Sequence, residues 1–80
     1  MNAITQELVA LSDITGPPLQ GDQRSKLFAQ LMRDGITLDP VHLTRDGELF
    51  EVQDGRHRIA AARLLGLTHI SALVYTRVNP

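Results

Sequence analysis

Apolar residues in this chain come in short bursts, separated by residues that favour turns. Leu8-Val9-Ala10-Leu11 reads as a first strand, with residues 1–7 as a flexible tail before it. Pro17 and Pro18 end that segment, because proline fixes φ and removes a backbone donor. Residues 19–21 read as loop. Asp22 is placed to cap a helix of about a dozen residues that stops at Gly35. Within it Leu27, Phe28, Leu31 and Met32 recur at helical spacing and predict one apolar face. Arg24, Lys26, Gln30 and Arg33 fall mostly elsewhere and read as solvated.

The second half alternates more clearly. Residues 41–44 and 48–52 predict two strands joined at Asp46-Gly47, a strong hairpin signal. Phe50 and Val52 should then lie on one face and Leu49 and Glu51 on the other. Gln53-Asp54-Gly55 leads into a second helix over 56–65, with Gly66 past its end and Leu67 as the accompanying hydrophobic contact. Residues 69–77 predict a last strand, and 78–80 a second tail. Strands and helices so mixed predict a single α/β domain, a small mixed sheet covered by helices.

Composition narrows the function classes. Eighty residues allow one small core, which buries only about 60% of the unfolded surface, so self-association would add stability. Without cysteine there is no disulfide, thiolate metal site or thiol chemistry. A formal charge of −1 argues against coating nucleic acid by bulk electrostatics, although seven of the eight cations are arginine. The 4% aromatic content offers no stacking platform for single strands. No run approaches the roughly 18 apolar residues of a membrane span, and the N-terminus lacks signal-peptide character. The cytoplasm is the expected location.

The chemistry concentrates where the predicted third strand enters the second helix. Arg56, His57 and Arg58 occupy the first turn of that helix, where unpaired N–H groups and the helix dipole make a positive end. Cations there cost about 0.3–1 kcal/mol each unless something negative sits beside them. A bound phosphate would reverse the sign, with Gly55 admitting it closely and the arginines gripping it. Spacing alone leaves open phosphate binding and plain solvation, with Asp54 pairing one arginine or capping the helix. Helical geometry sets Arg63, and Arg56 with it, on the outer side, and turns His57 and Arg58 inward. Asp54 and Glu51 are the candidate catalytic carboxylates. A Glu48, Glu51 and Asp54 metal site is conceivable, but Mg²⁺ usually arrives with its nucleotide and needs few protein ligands, so no dedicated metal site is expected. His42 and His69 carry no zinc spacing and read as ordinary polar positions, and Tyr75 reads as a sheet residue.

The run Asp54-Gly55-Arg56-His57-Arg58-Ile59-Ala60-Ala61-Ala62, followed by Leu65-Gly66-Leu67 and a strand with Leu73-Val74, resembles the ParB/sulfiredoxin superfamily. ParB N-terminal domains carry a G-E-R-R-x-R-A-A helix start, sulfiredoxins G-C-H-R and a free-serine kinase D-G-H-H-R at this turn. The resemblance implies nucleotide-phosphate contact by Gly55, His57 and Arg58, and places the pocket at the junction of 48–52 with 56–65. Asp54 would correspond to an aspartate near the reacting hydroxyl or metal in the kinase-like case. Upstream, residues 8–14, 22–35 and 39–43 agree with the family in order.

Departures from the family restrict what is implied. Arg56 stands where sulfiredoxins have cysteine, which excludes sulfinic-acid reduction. The proline- and arginine-rich ParB segment is not reproduced in residues 16–24, and nothing here corresponds to a DNA-reading helix-turn-helix. The expected function is a nucleotide- or phosphate-binding ParB-like module. It would serve a regulatory or DNA-maintenance role with a protein partner or as a homodimer, with any DNA association indirect and no membrane. A small phosphoryl-transfer enzyme (nuclease, NTPase or kinase, with Mg²⁺ on the nucleotide) is the alternative. An interaction domain that has lost its ligand is the third.

Overall fold

A computed structural model describes residues 2–16 and 22–77. Five strands and two helices follow in the order β1 (Asn2–Ala10), β2 (Ile14–Thr15), α1 (Gln23–Arg33), β3 (Val41–Asp46), β4 (Leu49–Asp54), α2 (Arg56–Leu64) and β5 (His69–Arg77). A single 3₁₀ turn, Leu11–Asp13, separates the first two strands. The strands form one mixed sheet in the spatial order β1-β5-β3-β4-β2. β3 is antiparallel to β4 and parallel to β5, so the chain leaves the hairpin, crosses through α2 and returns on the other side of β3. β1 runs antiparallel along all of β5, and the two-residue β2 lies parallel to β4.

Alternation along each strand builds the core on one face. Val41 and Leu43 of β3, Ala72 and Val74 of β5, Phe50 of β4 and Val9 of β1 are buried there, under Ile59 and Ala62 of α2. Burying a valine or leucine side chain contributes about 1.5–3 kcal/mol, which makes these few residues the main source of cohesion. Phe50 is buried and Leu49 and Glu51 are exposed, as the alternation predicts. α1 packs mainly on α2. Ser25 and Ala29 in α1, with Ala60 and Ala61 in α2, are the buried small side chains that let two helices approach closely.

Both helices close on the predicted glycines. The N–H of Gly66 bonds the Arg63 carbonyl and that of Leu67 bonds Ala62, the paired pattern that closes a helix on a left-handed residue. Gly35 and Ile36 repeat it at the end of α1, bonding Met32 and Leu31. In the hairpin Asp46 pairs with Leu49, so the two-residue loop is Gly47-Glu48, one position later than Asp46-Gly47 suggests.

Several expectations need correction. Residues 2–7 are not tail: they are the first two-thirds of β1, paired residue by residue with β5. Their weak apolar pattern hid them, because an edge strand needs only one side covered. Leu11 leaves the strand for the 3₁₀ turn. Leu27 is 57% exposed, so the packed stripe of α1 runs through Ser25 and Ala29 rather than through it. β4 starts at Leu49 and continues to Asp54, and α2 stops one residue early, at Leu64. The helices cover one face of the sheet; His42, Thr44, Glu51 and Tyr75 line a broad polar surface on the other. The predicted loop 19–21, the prolines before it and the tail 78–80 lie outside the described residues.

Candidate functional site

At the start of α2 the backbone turns sharply. Gly55 is the N-cap, with φ of +110°. A Cβ on Gly55 would lie 2.5 Å from Cγ1 and 2.7 Å from Cβ of Val41. Glycine is therefore demanded by the buried β3 residue behind it, whether or not a phosphate approaches from the front. Asp54, the expected cap, does not take the N-cap position: Gly55 does, without a side-chain cap hydrogen bond.

Arg58 turns inward, but onto protein. Its Nη1 donates to the Asp39 carbonyl at 2.8 Å and to the Pro40 carbonyl at 3.2 Å, and Nη2 donates to Asp54 Oδ2 at 3.2 Å. The guanidinium thus clamps the entry of β3 to the first turn of α2. The cations at this helix end are not all idle charges awaiting an anion; this one is already partnered.

His57 faces the start of the other helix. Its Nδ1 lies 3.3 Å from Asp22 Oδ2 and 3.4 Å from Ser25 Oγ, and Ser25 is fully buried. Asp22 caps α1 by accepting from the Ser25 N–H at 2.8 Å. The two positive helix ends therefore converge, with one carboxylate at the seam. The Ser25 N–H and hydroxyl hold the Asp22 carboxyl below its ordinary value of 3.8, and His57 adds to this. A folded-state pKa lowered in this way contributes stability above the ordinary value, which is lost as pH falls through the lowered one. Asp22→Asn retains a capping oxygen without the charge. The variant should lose less stability than the parent as pH falls through the region below 3.8, read from urea unfolding midpoints at stepped pH.

Beside this seam lies an open cleft of about 580 Å³, lined by Gln53, Asp54, Gly55, Arg56, His57 and Arg58. From α1 it receives Arg24 and Phe28, and from the loop before β3 Leu38 and Asp39. The Arg24 guanidinium sits over the Phe28 ring, 5.8 Å from its centre, within cation–π range. Among the described residues neither Arg24 nor Arg56 has a carboxylate partner. Reading the sequence assigned Arg24 to solvent and Phe28 to the core. The missed signal was the one used for α2: Arg24 is a cation in the first turn of a helix, four residues before an aromatic and so on the same helix face.

Candidate acids are less converged. Asp54 lines the cleft with its side chain 72% exposed, held, among the described residues, by Arg58 alone. Glu51 is exposed and lines two other grooves: one with Arg56 and Arg63, the other on the open sheet face with His42, Gln53 and Tyr75. Glu48 lies in the hairpin loop. Among the described residues Glu48, Glu51 and Asp54 form no metal-holding group, nor do any other three histidine, aspartate or glutamate side chains. Arg63 stays on the outside, where its Nη2 donates to the Leu11 carbonyl at 3.3 Å. His42 is not simply solvated: its Nδ1 and the Tyr75 hydroxyl are 3.0 Å apart across the open face.

The order of the sheet and the two helices on one face define a ParB/sulfiredoxin-like α/β fold. Sulfiredoxin from Arabidopsis thaliana superposes with a TM-score of 0.73 at 22% identity, over 94% of this chain and 86% of that one. A Pnob8-like ParB-N domain gives 0.72 at 16% identity, over 98% of this chain and 32% of that one. A free serine kinase in complex with AMP gives 0.74 at 18% identity, over 86% of this chain and 30% of the kinase. The chain thus spans most of a sulfiredoxin and about a third of the other two. At these identities the likeness establishes the fold and no more. No protein-family model and no curated protein matches the sequence. Among the described residues no helix is long and apolar enough to cross a membrane.

Proposed function

We propose that the chain is a nucleotide- or polyphosphate-binding module whose site is the cleft between the two helix starts. One observation carries this reading. Arg24 and Arg56, cations without carboxylate partners among the described residues, meet at the positive ends of α1 and α2, around the N–H groups that open α2. Phosphate oxygens would accept from that first turn and from Arg56, while Phe28 and Leu38 supply an apolar wall for a base or sugar. That a structural neighbour, the free serine kinase, was solved with AMP supports the choice of ligand class. In this reading His57 and Gly55 line the phosphate position, and Arg58 chiefly holds the turn. A phosphate would reach Arg58 by displacing Asp54 from Nη2. Any regulatory or DNA-maintenance role then passes through a partner that senses the filled cleft.

Phosphoryl transfer is the second reading, favoured by the placing of Asp54 in the same cleft as His57 and Arg56. The carboxylate could accept a proton from a substrate hydroxyl, with Mg²⁺ carried on the nucleotide. The test is calorimetric titration with mono-, di- and triphosphate nucleotides, with and without Mg²⁺. Arg56→Ala and Arg24→Ala should each weaken binding about tenfold or more, since a charge-assisted contact contributes about 1.5–3 kcal/mol. Arg33→Ala, at the far end of α1, should change it little. Equal losses in all three would indicate diffuse attraction, and absence of binding at millimolar nucleotide would remove the reading. Nucleotide turnover abolished by Asp54→Asn would favour the enzyme.

A further inference from the structure

The two edges of the sheet are finished very differently. β2, at one edge, is two residues long, a common way of blunting an exposed edge. β1, at the other, is nine residues long and, among the described residues, paired on one side only, so a row of its backbone donors and acceptors faces outward. Its sequence, NAITQELVA, has no lysine and no proline to discourage pairing. Ile4 and Leu8 on this strand are 58% and 72% exposed, and Leu8 is the most exposed large apolar residue among those described. Leu8 also borders an apolar groove of about 400 Å³ with Ile36, Leu38, Leu67 and Ile70.

We propose that β1 pairs with β1 of a second copy of this chain, antiparallel about a two-fold axis at Gln6, to make one ten-stranded sheet. The register follows from the side chains. Centring on Gln6 sets Ile4 opposite the partner's Leu8 on one face, twice, by symmetry. On the other face it sets Thr5 opposite the partner's Glu7 and Ala3 opposite the partner's Val9. Every exposed apolar residue of the strand meets an apolar one, and each carboxylate meets a hydroxyl. Centring on Glu7 would oppose two like charges and separate Ile4 from Leu8; centring on Thr5 would set Ile4 against an amide. Glu7 is moreover neutralised within its own chain, accepting from Arg45 Nη2 and Thr5 Oγ1, each at 2.6 Å. These contacts hold its carboxyl below the ordinary range, so it stays ionised, and the Arg45 guanidinium within the same chain offsets its charge. A peptide of another protein could use the same edge, but the self-matching register selects a second copy. The proposal is independent of the nucleotide reading, whose cleft lies at the helix starts.

Sedimentation velocity of the intact chain, from micromolar to submillimolar, is the first measurement, with a reversible dimer expected. Leu8→Lys, at a site too exposed to matter for folding, should weaken the dimer about tenfold or more while leaving the circular dichroism spectrum unchanged. Because the chain has no cysteine, Gln6→Cys introduces a single thiol. Opposed residues of antiparallel strands have Cα atoms about 4.5–5.5 Å apart, within disulfide range, so this variant should oxidise to a covalent dimer. Thr44→Cys, on the open face away from the edge, should not. A monomer at submillimolar concentration overturns the proposal, as does a dimer that survives Leu8→Lys with Gln6→Cys failing to cross-link. A monomer that captures added β-strand peptides would assign the edge to a foreign partner instead.

Discussion

Gly55→Ala is expected to remove a large part of the stability of the domain, and in the less stable range to unfold it. Two costs combine. A residue with a side chain at φ +110° is strained by about 1–3 kcal/mol. Its Cβ would also lie 2.5 Å from Val41 Cγ1, and Val41 is fully buried in the core behind β3, so it cannot move aside. Overpacking of this kind costs about 1–3 kcal/mol more. An 80-residue domain has roughly 4–12 kcal/mol to lose. Gly47→Ala is the control: its φ is +63°, yet nothing lies within 4 Å of the added carbon. Urea unfolding should rank Gly55→Ala well below Gly47→Ala, whose loss is about 1 kcal/mol. Equal losses would mean that the Val41 contact is relieved by a shift and that backbone strain alone requires the glycine.

Much of this fold could be read along the chain because its punctuation is strong. Asp22, Gly35 and Gly66 mark helix ends by mechanisms that act within a few residues, and Asp46-Gly47 marks the hairpin to within one position. The strands with a buried face, β3 to β5, alternate clearly. β1 does not, because one side of it faces solvent and residues 2–7 therefore read as a tail. What no local rule could supply was the meeting of distant elements. The closeness of His57 to Asp22 and Ser25 joins positions more than thirty apart. Arg24 and Phe28 enter the cleft for the same reason. Gly55 shows the opposite case: the sequence signals that a glycine matters there, but the carbon it avoids belongs to Val41 rather than to a ligand's position. The polar side chains of the first turn of α2 divide likewise into one that is spent on carbonyls, Arg58, one that lies against a carboxylate, His57, and one left facing the cleft, Arg56.

Arg58→Ala is expected to destabilise the free protein, the reverse of what relief of helix-end repulsion alone predicts. The side chain is 17% exposed and its Nη1 serves two backbone carbonyls, Asp39 and Pro40, just where the chain enters β3. Hydrogen bonds from a charged group contribute about 1.5–3 kcal/mol, and truncation leaves both carbonyls to find water. Repulsion at the helix start is worth about 0.3–1 kcal/mol, so the lost clamp outweighs it. The bridge to Asp54 adds little, since that carboxylate is 72% exposed and an i,i+4 surface pair contributes about 0.3–0.5 kcal/mol. Asp54→Asn should therefore leave the unfolding free energy from urea titration nearly unchanged while Arg58→Ala lowers it by about 1.5–3 kcal/mol. Arg58→Lys keeps the charge but loses the two-carbonyl fork, and should fall between them. An Arg58→Ala midpoint at or above that of the parent chain would show that helix-end repulsion governs this turn, and Arg58 would return to the group of cations free to hold a phosphate.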